Sequence, residues 1–323
     1  MHPASFPLFA ALALAALLPA QNTAQSDAAS DPPAPTRAVL VTGASSGIGR
    51  ATAERLAREG FHVYAGARKD ADLAALDALD NVEAVRLDVT DTDQIAAAVA
   101  QVSRGGRGLY GLINNAGVLV MAPLTEVTEA DLDFQMDVNV RGPYRVTKAF
   151  APLLVESKGR VLTTGSISGF VTWPMGGPYT MSKHAVEAYT DCLAAELGPL
   201  GVHVGVVEPG NFRSAILANM VDRMKDRGYC GKGSLFEGQL DRILDGDASR
   251  AEHASPDAVA AVFVEALTAE RPPRRHMVTP NAREAEMTLR AALGRAVELN
   301  AASSHPISDD ELHALLDEAL ARR

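Results

Sequence analysis

The chain has 323 residues, a hydrophobic content of 47% and a formal charge of −10. That length suits one large α/β domain with appendages, and the negative balance excludes the basic face that nucleic-acid binding requires. Its two cysteines, Cys192 and Cys230, cannot build a disulfide framework and stand in no metal-ligand spacing, so no metal site is expected.

Residues 1–35 form a leader and linker. Phe6 to Ala20 is an apolar run rich in alanine and leucine, and Gln21 to Pro35 is polar and contains prolines. The run is short for a membrane span, which takes roughly 20 residues. It is similar to the apolar core of a signal peptide, with Leu18-Pro19-Ala20 as a cleavage site, although no lysine or arginine precedes it. A cytoplasmic protein with an unstructured leader or a misplaced start is favoured; export or membrane association through this segment stays open.

From Arg37 short β-branched apolar runs alternate with helix-length segments, the pattern of a parallel sheet with crossover helices. Strands are expected in RAVLVT, HVYAG, VEAVRLDV, GLYGLINN, GRVLTTG, VHVGVVEP and RHMVTP, with helices such as IGRATAERLAREG, EADLDFQMDVNV and GPYTMSKHAVEAYTDCLAAEL between them. The order predicts a doubly wound, mainly parallel α/β sheet of seven strands over residues 36–280. Residues 211–254, rich in Met, Gly and charge, break the rhythm and read as a mobile lid or a disordered loop. Residues 281–323 read as a C-terminal helical extension, with packing or oligomer contact as its default role.

The first strand runs into Thr42-Gly43-Ala44-Ser45-Ser46-Gly47-Ile48-Gly49, and a helix follows. Glycines there let backbone N–H groups and a helix N-terminus approach a pyrophosphate. The spacing is G-x-x-x-G-x-G, not the generic dinucleotide pattern. Further on, Tyr179 and Lys183 stand one helical turn apart, with Ser166 thirteen residues upstream of Tyr179. A lysine at i+4 lies beside the phenol, and its charge favours the phenolate, lowering a pKa that is ordinarily about 10. Ser166 is placed to orient a substrate oxygen. Tyr-x-x-x-Lys alone arises by chance in many helices, so the neighbouring motifs decide its meaning.

TGASSGIG, Asp88 in LDVTD, Asn114-Asn115-Ala116-Gly117, Asn139 in DVNVRG, Ser166, Tyr179-x-x-x-Lys183 and Pro209-Gly210 follow one another as in the short-chain dehydrogenase/reductase family. The resemblance covers roughly Arg37 to Pro280. VYAGARK, VEPGNF and VTPNA are similar to the branch of retinol, hydroxysteroid and type 1 hydroxybutyrate dehydrogenases. It implies a Rossmann fold and a catalytic set of Asn139, Ser166, Tyr179 and Lys183, with Asn139 in a water-mediated proton relay from Lys183. It implies a nicotinamide cofactor held by Gly43, Ser45, Ser46, Gly47, Ile48, Gly49, Arg68, Asp88, Val89, Asn115, Ala116, Gly117, Tyr179, Lys183, Pro209, Gly210 and Ser214. Asp88 would meet the adenine and Ser214 the carboxamide.

NAD-specific members place an acid at the end of the second strand. Here Ala67 is followed by Arg68, which can pair with a 2′-phosphate, so NADP(H) is favoured and NAD(H) stays open. Phe170, Trp173, Met175, Met220 and Met224 are candidates for an apolar substrate wall, which suits a lipophilic carbonyl compound or alcohol. His184 reads as structural. A homo-oligomer follows by analogy, and a cofactor-binding regulator without turnover is the competing function.

Overall fold

The computed structural model describes residues 37–246 and 248–322, and the expectations for the leader lie outside the described residues. The seven apolar runs form β1 (Ala38–Val41), β2 (His62–Ala67), β3 (Val82–Arg86), β4 (Gly111–Asn114), β5 (Arg160–Thr164), β6 (His203–Pro209) and β7 (Arg275–Val278). All pair in parallel, in the order β3-β2-β1-β4-β5-β6-β7. This is the doubly wound Rossmann arrangement, whose strand order reverses between β1 and β4.

The connecting helices are α1 (Gly47–Arg58), α2 (Asp70–Asp77), α3 (Thr92–Arg104), α4 (Glu129–Met136), α5 (Gly142–Glu156) and α6 (Gly177–Leu197); beyond β6 come α7 (Ile216–Asp226), α8 (Glu237–Asp245), α9 (Asp257–Thr268), α10 (Ala282–Ala301) and α11 (Asp309–Ala321). Side chains alternate across the strands. Val39, Val41, Val63 and Ala65 meet Leu56 of α1 and Phe263 and Leu267 of α9 on one face. Leu40, Tyr64 and Leu112 meet Ile95 of α3 and Val146, Phe150 and Leu154 of α5 on the other. Burial on both faces explains why the strands read as continuous apolar runs, and each large apolar side chain so buried contributes about 1.5–3 kcal/mol.

Residues 211–254 carry no pattern long enough to announce a helix, yet they hold α7 and α8. Met220, Val221 and Met224 of α7 and Leu240 and Leu244 of α8 join Leu119 and Met175 in a third apolar cluster, with Tyr179 packed against it. Polar ties fix the segment to the sheet side. Arg223 Nη1 donates to Leu119 O at 3.2 Å, and Tyr229 Oη donates to Asp131 at 2.9 Å. No described helix is long and apolar enough to cross a membrane.

Candidate active site

The strand-order reversal opens a crevice at the carboxyl ends of β1 and β4, where α/β sheets hold ligands. Thr42 closes β1 and welds the two sides together. Its Oγ1 accepts from the N–H groups of Asn115 and Ala116 at 2.9 and 3.0 Å. Asn115 returns bonds to the carbonyls of Thr42 and Gly43. The glycine loop packs so tightly on this segment that a Cβ on Gly43 would lie 2.8 Å from Ala116 Cα, and one on Gly49 would lie 2.3 Å from Asn115 Nδ2. Gly47 takes φ +56°. Helix α1 then starts with no acid in its first turn, and Ser46 makes no side-chain cap bond. Its leading N–H groups therefore retain capacity for an anion.

Opposite the loop, β5 ends at Thr164 and the chain turns through Ser166, which caps a single turn over Ile167–Gly169. Ser166 Oγ accepts from Ser168 N at 3.1 Å. Helix α6 brings Tyr179 and Lys183 to the same place, where the Ser166 hydroxyl favours the Tyr179 phenolate. Lys183 Nζ lies 5.6 Å from the Tyr179 ring centroid and donates to Thr164 O at 2.8 Å. The expected single helix EADLDFQMDVNV instead ends α4 in a π turn, Asp137–Arg141. Such turns widen a helix locally and re-aim a side chain. Buried Asn139, at its centre, accepts from Val118 N at 2.8 Å and donates to Val118 O at 3.0 Å and Ser182 Oγ at 3.1 Å. Ser182 in turn donates to Tyr179 O at 2.7 Å. Asn139 is thus a strut between the π turn and the Tyr179 turn.

Burial dominates the electrostatics. It raises the Tyr179 phenol above its ordinary range, while the Ser166 bond and the Arg250 charge act the other way. Lys183, expected to be the group that lowers it, is itself pushed down to about 8 by burial, with Glu187 opposing. Its ammonium donates to the Thr164 carbonyl, and with a pKa of about 8 the lysine has lost its charge before the raised phenol ionises. Behind it, one turn along α6, Glu187 meets Arg275 Nε at 3.0 Å. Buried Glu208, also near Arg275, is raised to about 8 by burial and by the Glu187 charge.

At the far end of the crevice Arg68 is 64% exposed and faces Asp88 Oδ2 at 3.6 Å. Asp88 Oδ1 closes its own turn through Thr90 N and Oγ1, while the Val89 side chain is buried in the core. Ala67 is likewise sealed in the core. Gly117 stands near Asn139, Gly210 N donates to Val278 O at 2.8 Å, and Pro209 O lies 3.5 Å from Ser166 Oγ. Ser214 reaches the glycine loop, where a Cβ on Gly47 would lie 3.3 Å from its own Cβ. Ile48 packs partly against the core, Ser45 is half-buried and Ser46 is exposed.

Met175 takes φ +69° and, with Met220 and Met224, lies in the third apolar cluster. The Trp173 ring stands 6.2 Å from that of Tyr179, and Phe170 is half-buried. Sequence reasoning missed three contributors beyond β6. Arg250 acts on Tyr179, Glu284 of α10 accepts from Asn211 N at 2.8 Å, and Arg295 Nη1 meets His184 Nε2 at 2.7 Å. His184 Nδ1 lies 2.8 Å from Thr180 O, so both its ring nitrogens have structural partners. None of the three sits in a recognisable motif.

A family model described as short chain dehydrogenase matches residues 37–225. Rat mitochondrial D-beta-hydroxybutyrate dehydrogenase is 40% identical over 203 residues, covering 60% of this chain and 58% of that protein, under two thirds of its length. Mouse retinol dehydrogenase 7 is 34% identical over 250 residues, covering 74% of this chain and 79% of that one. A short-chain dehydrogenase/reductase from Burkholderia phymatum, solved in complex with NAD, superposes with a TM-score of 0.70 at 26% identity, covering 84% of this chain and 98% of that one.

Proposed function

The chain belongs to the short-chain dehydrogenase family, in the branch of its hydroxybutyrate and retinol dehydrogenase relatives, and from that premise we propose that it moves hydride between NADP(H) and a lipophilic carbonyl compound or alcohol. The observation that carries this reading is the convergence of Ser166, Tyr179, Lys183 and Asn139 opposite a glycine loop at the reversal of strand order.

The residues present fit a nicotinamide dinucleotide. The N–H groups that open α1, from Ser46 through Gly47, Ile48 and Gly49, would meet a pyrophosphate, with Gly43, Ser45 and Ser214 beside them. Arg68 and Asp88 serve the adenosine end, Val89 through its main chain. Asn115, Ala116 and Gly117 line the middle, and Pro209, Gly210, Tyr179 and Lys183 the nicotinamide end. When bound, the cofactor supplies or accepts the hydride. Tyr179 gives a proton to the substrate oxygen in reduction and takes it back in oxidation. Ser166 donates to that oxygen as charge gathers on it. Lys183 would hold the ribose and, protonated at neutral pH with a pKa of about 8, add positive charge behind Tyr179, and the Asn139 strut fixes the turn on which both ride. The apolar cluster of Leu119, Met175, Met220 and Met224 next to Tyr179 supports a lipophilic substrate.

The test is NADPH oxidation by the full chain against a panel of apolar ketones and aldehydes, repeated without residues 1–35. Turnover with some members is expected. NADPH binding with no turnover on any member would replace this reading with a cofactor-binding regulator.

Cofactor preference has its own test. Introducing an acid at Ala67 would disturb the core, so Arg68→Ser is the cleaner change. Losing one exposed charge-assisted bond to a 2′-phosphate should raise KM for NADPH about tenfold and leave KM for NADH nearly unchanged. An equal effect on both cofactors would remove Arg68 from phosphate recognition.

A further inference from the structure

Two carboxyl groups that the chemistry above does not use lie against the Ser166 turn. Glu187, one turn past Lys183 on α6, and Glu208, near the end of β6, are 8% and 3% exposed. One guanidinium meets both, with Arg275 Nε 3.0 Å from Glu187 Oε2 and 3.7 Å from Glu208 Oε1. Both also adjoin Gly165, where a Cβ would stand 3.2 Å from Glu187 Oε1 and 3.4 Å from Glu208 Cγ. A Cβ on Gly169 would come within 2.9 Å of the same Glu187 oxygen. The turn that carries Ser166 therefore begins and ends on glycines pressed against the Glu187 carboxyl.

The charges around this point do not balance. Arg275 Nη2 also meets Asp191 at 2.8 Å, and Arg274 Nη1 meets Asp191 at 3.2 Å. Lys183, one turn back on α6, spends its ammonium on Thr164 O at 2.8 Å. With both glutamates ionised, the partly exposed Arg275 would face three carboxylates. Glu187 Oε1 and Glu208 Oε1 are moreover buried and accept no hydrogen bond among the described residues. Buried acceptors without donors are costly, and two carboxyl groups that share a site do not both ionise readily. One proton removes both faults, because it turns one orphaned acceptor into a donor to the other. Burial raises both acids, and with the Glu187 charge it takes Glu208 to about 8, so the pair retains this proton at neutral pH.

We propose that Glu187 and Glu208 hold one proton between them, and that this acid pair is the support that positions Ser166 toward the substrate oxygen. A hydrogen bond from a carboxyl group to a carboxylate is short and directional, whereas two bare carboxylates repel. The pair so joined fixes α6, β6 and the Ser166 turn at one point. Both glutamates act through Ser166 and not on the reacting atoms. The positioning role rests on the hydride-transfer reading; the shared proton does not.

Infrared spectra of the full chain detect the proton as the C=O stretch of a neutral carboxyl group, a band that exposed acids lack near neutral pH. The wild type should show it at about pH 6 and lose it by about pH 10. E208Q and E187Q should each abolish it, because either acid left alone beside Arg275 ionises. No band in the wild type, or a band that survives in either variant, would overturn the assignment. Denaturation gives a second reading. The folded pair keeps a proton that the unfolded chain releases above about pH 4.5, so the stability of the wild type relative to E208Q should fall as pH rises from about 4.5 to about 8; a flat difference would count against the shared proton. For the positioning role, kcat of carbonyl reduction at pH 7 should fall about tenfold in E187Q, part of the hundredfold or more that misplacing an oxyanion donor can cost, with KM for NADPH nearly unchanged. Lower stability with kcat intact would make the pair a structural brace and end that role. Should E187Q fold poorly, E208A takes its place in the same kcat and KM comparison. A wild type inactive on every carbonyl compound, with the band and its loss intact, would sink hydride transfer and leave the shared proton standing.

Discussion

Tyr179→Phe should lower kcat about a hundredfold or more, the usual worth of a positioned acid–base group, in whichever carbonyl reduction the wild type performs. The substitution removes one oxygen and keeps the ring, so the contacts with Trp173 and the apolar cluster survive. Ser166 loses the phenol as a partner but keeps its bond with Ser168. Because burial keeps the phenol protonated beyond its ordinary range, the wild type holds the proton that reduction consumes at neutral pH. Oxidation needs the phenolate and should accelerate as pH rises. Near-normal turnover in the phenylalanine variant, measured as NADPH consumption, would exclude Tyr179 as the proton carrier.

Lys183→Met should cost most of the activity and yet stabilise the cofactor-free fold. The lysine is buried, and its pKa falls from 10.5 to about 8 on folding. A displacement of that size corresponds to a penalty of ~3 kcal/mol for holding the ammonium in the interior. Methionine fills similar volume without charge but leaves Thr164 O without its donor, which gives back roughly 1–2 kcal/mol. A net gain on the order of 1–2 kcal/mol therefore remains at pH 7. The sign of its pH dependence follows from the direction of the shift. The unfolded chain holds the lysine proton between about pH 8 and 10.5 while the folded chain has released it, so wild-type stability rises with pH across that window. The advantage of the methionine variant should be full below pH 8 and fade by about pH 10.5. Chemical denaturation of both proteins at several pH values measures it, and a variant less stable than wild type at pH 7 would show that the buried charge is compensated elsewhere.

The parts of this molecule that could be read in advance are those set by local rules. Val39 to Val41 and Leu112 to Ile113 announce buried parallel strands because both faces of the sheet are covered. Gly43, Gly47 and Gly49 announce the loop because no Cβ fits there or the backbone turns left-handed. Tyr179 and Lys183 meet because the helix period brings i and i+4 together. The rest depends on partners distant in the chain. Helix α7 buries only Met220, Val221 and Met224 among charged neighbours, too short a stripe to stand out. The π turn at Asn139 is held by Val118 and Ser182, and nothing in DVNVR by itself requires an extra residue in the turn. Arg250 meets Phe212 and Asn211 only after the fold has closed a gap of nearly forty residues. The lowered phenol pKa inferred from spacing alone gave way for the same reason, since burial outweighs the charge one turn along.

The motif residues lie between Gly43 and Ser214, whereas Arg250, Glu284 and Arg295, which tie onto Phe212, Asn211 and His184, all come later. Helix α10 spans that boundary, gripping Asn211 at one end and His184 at the other. Grafting the terminal third of a relative onto this sheet would therefore succeed only where both of those grips travel with it.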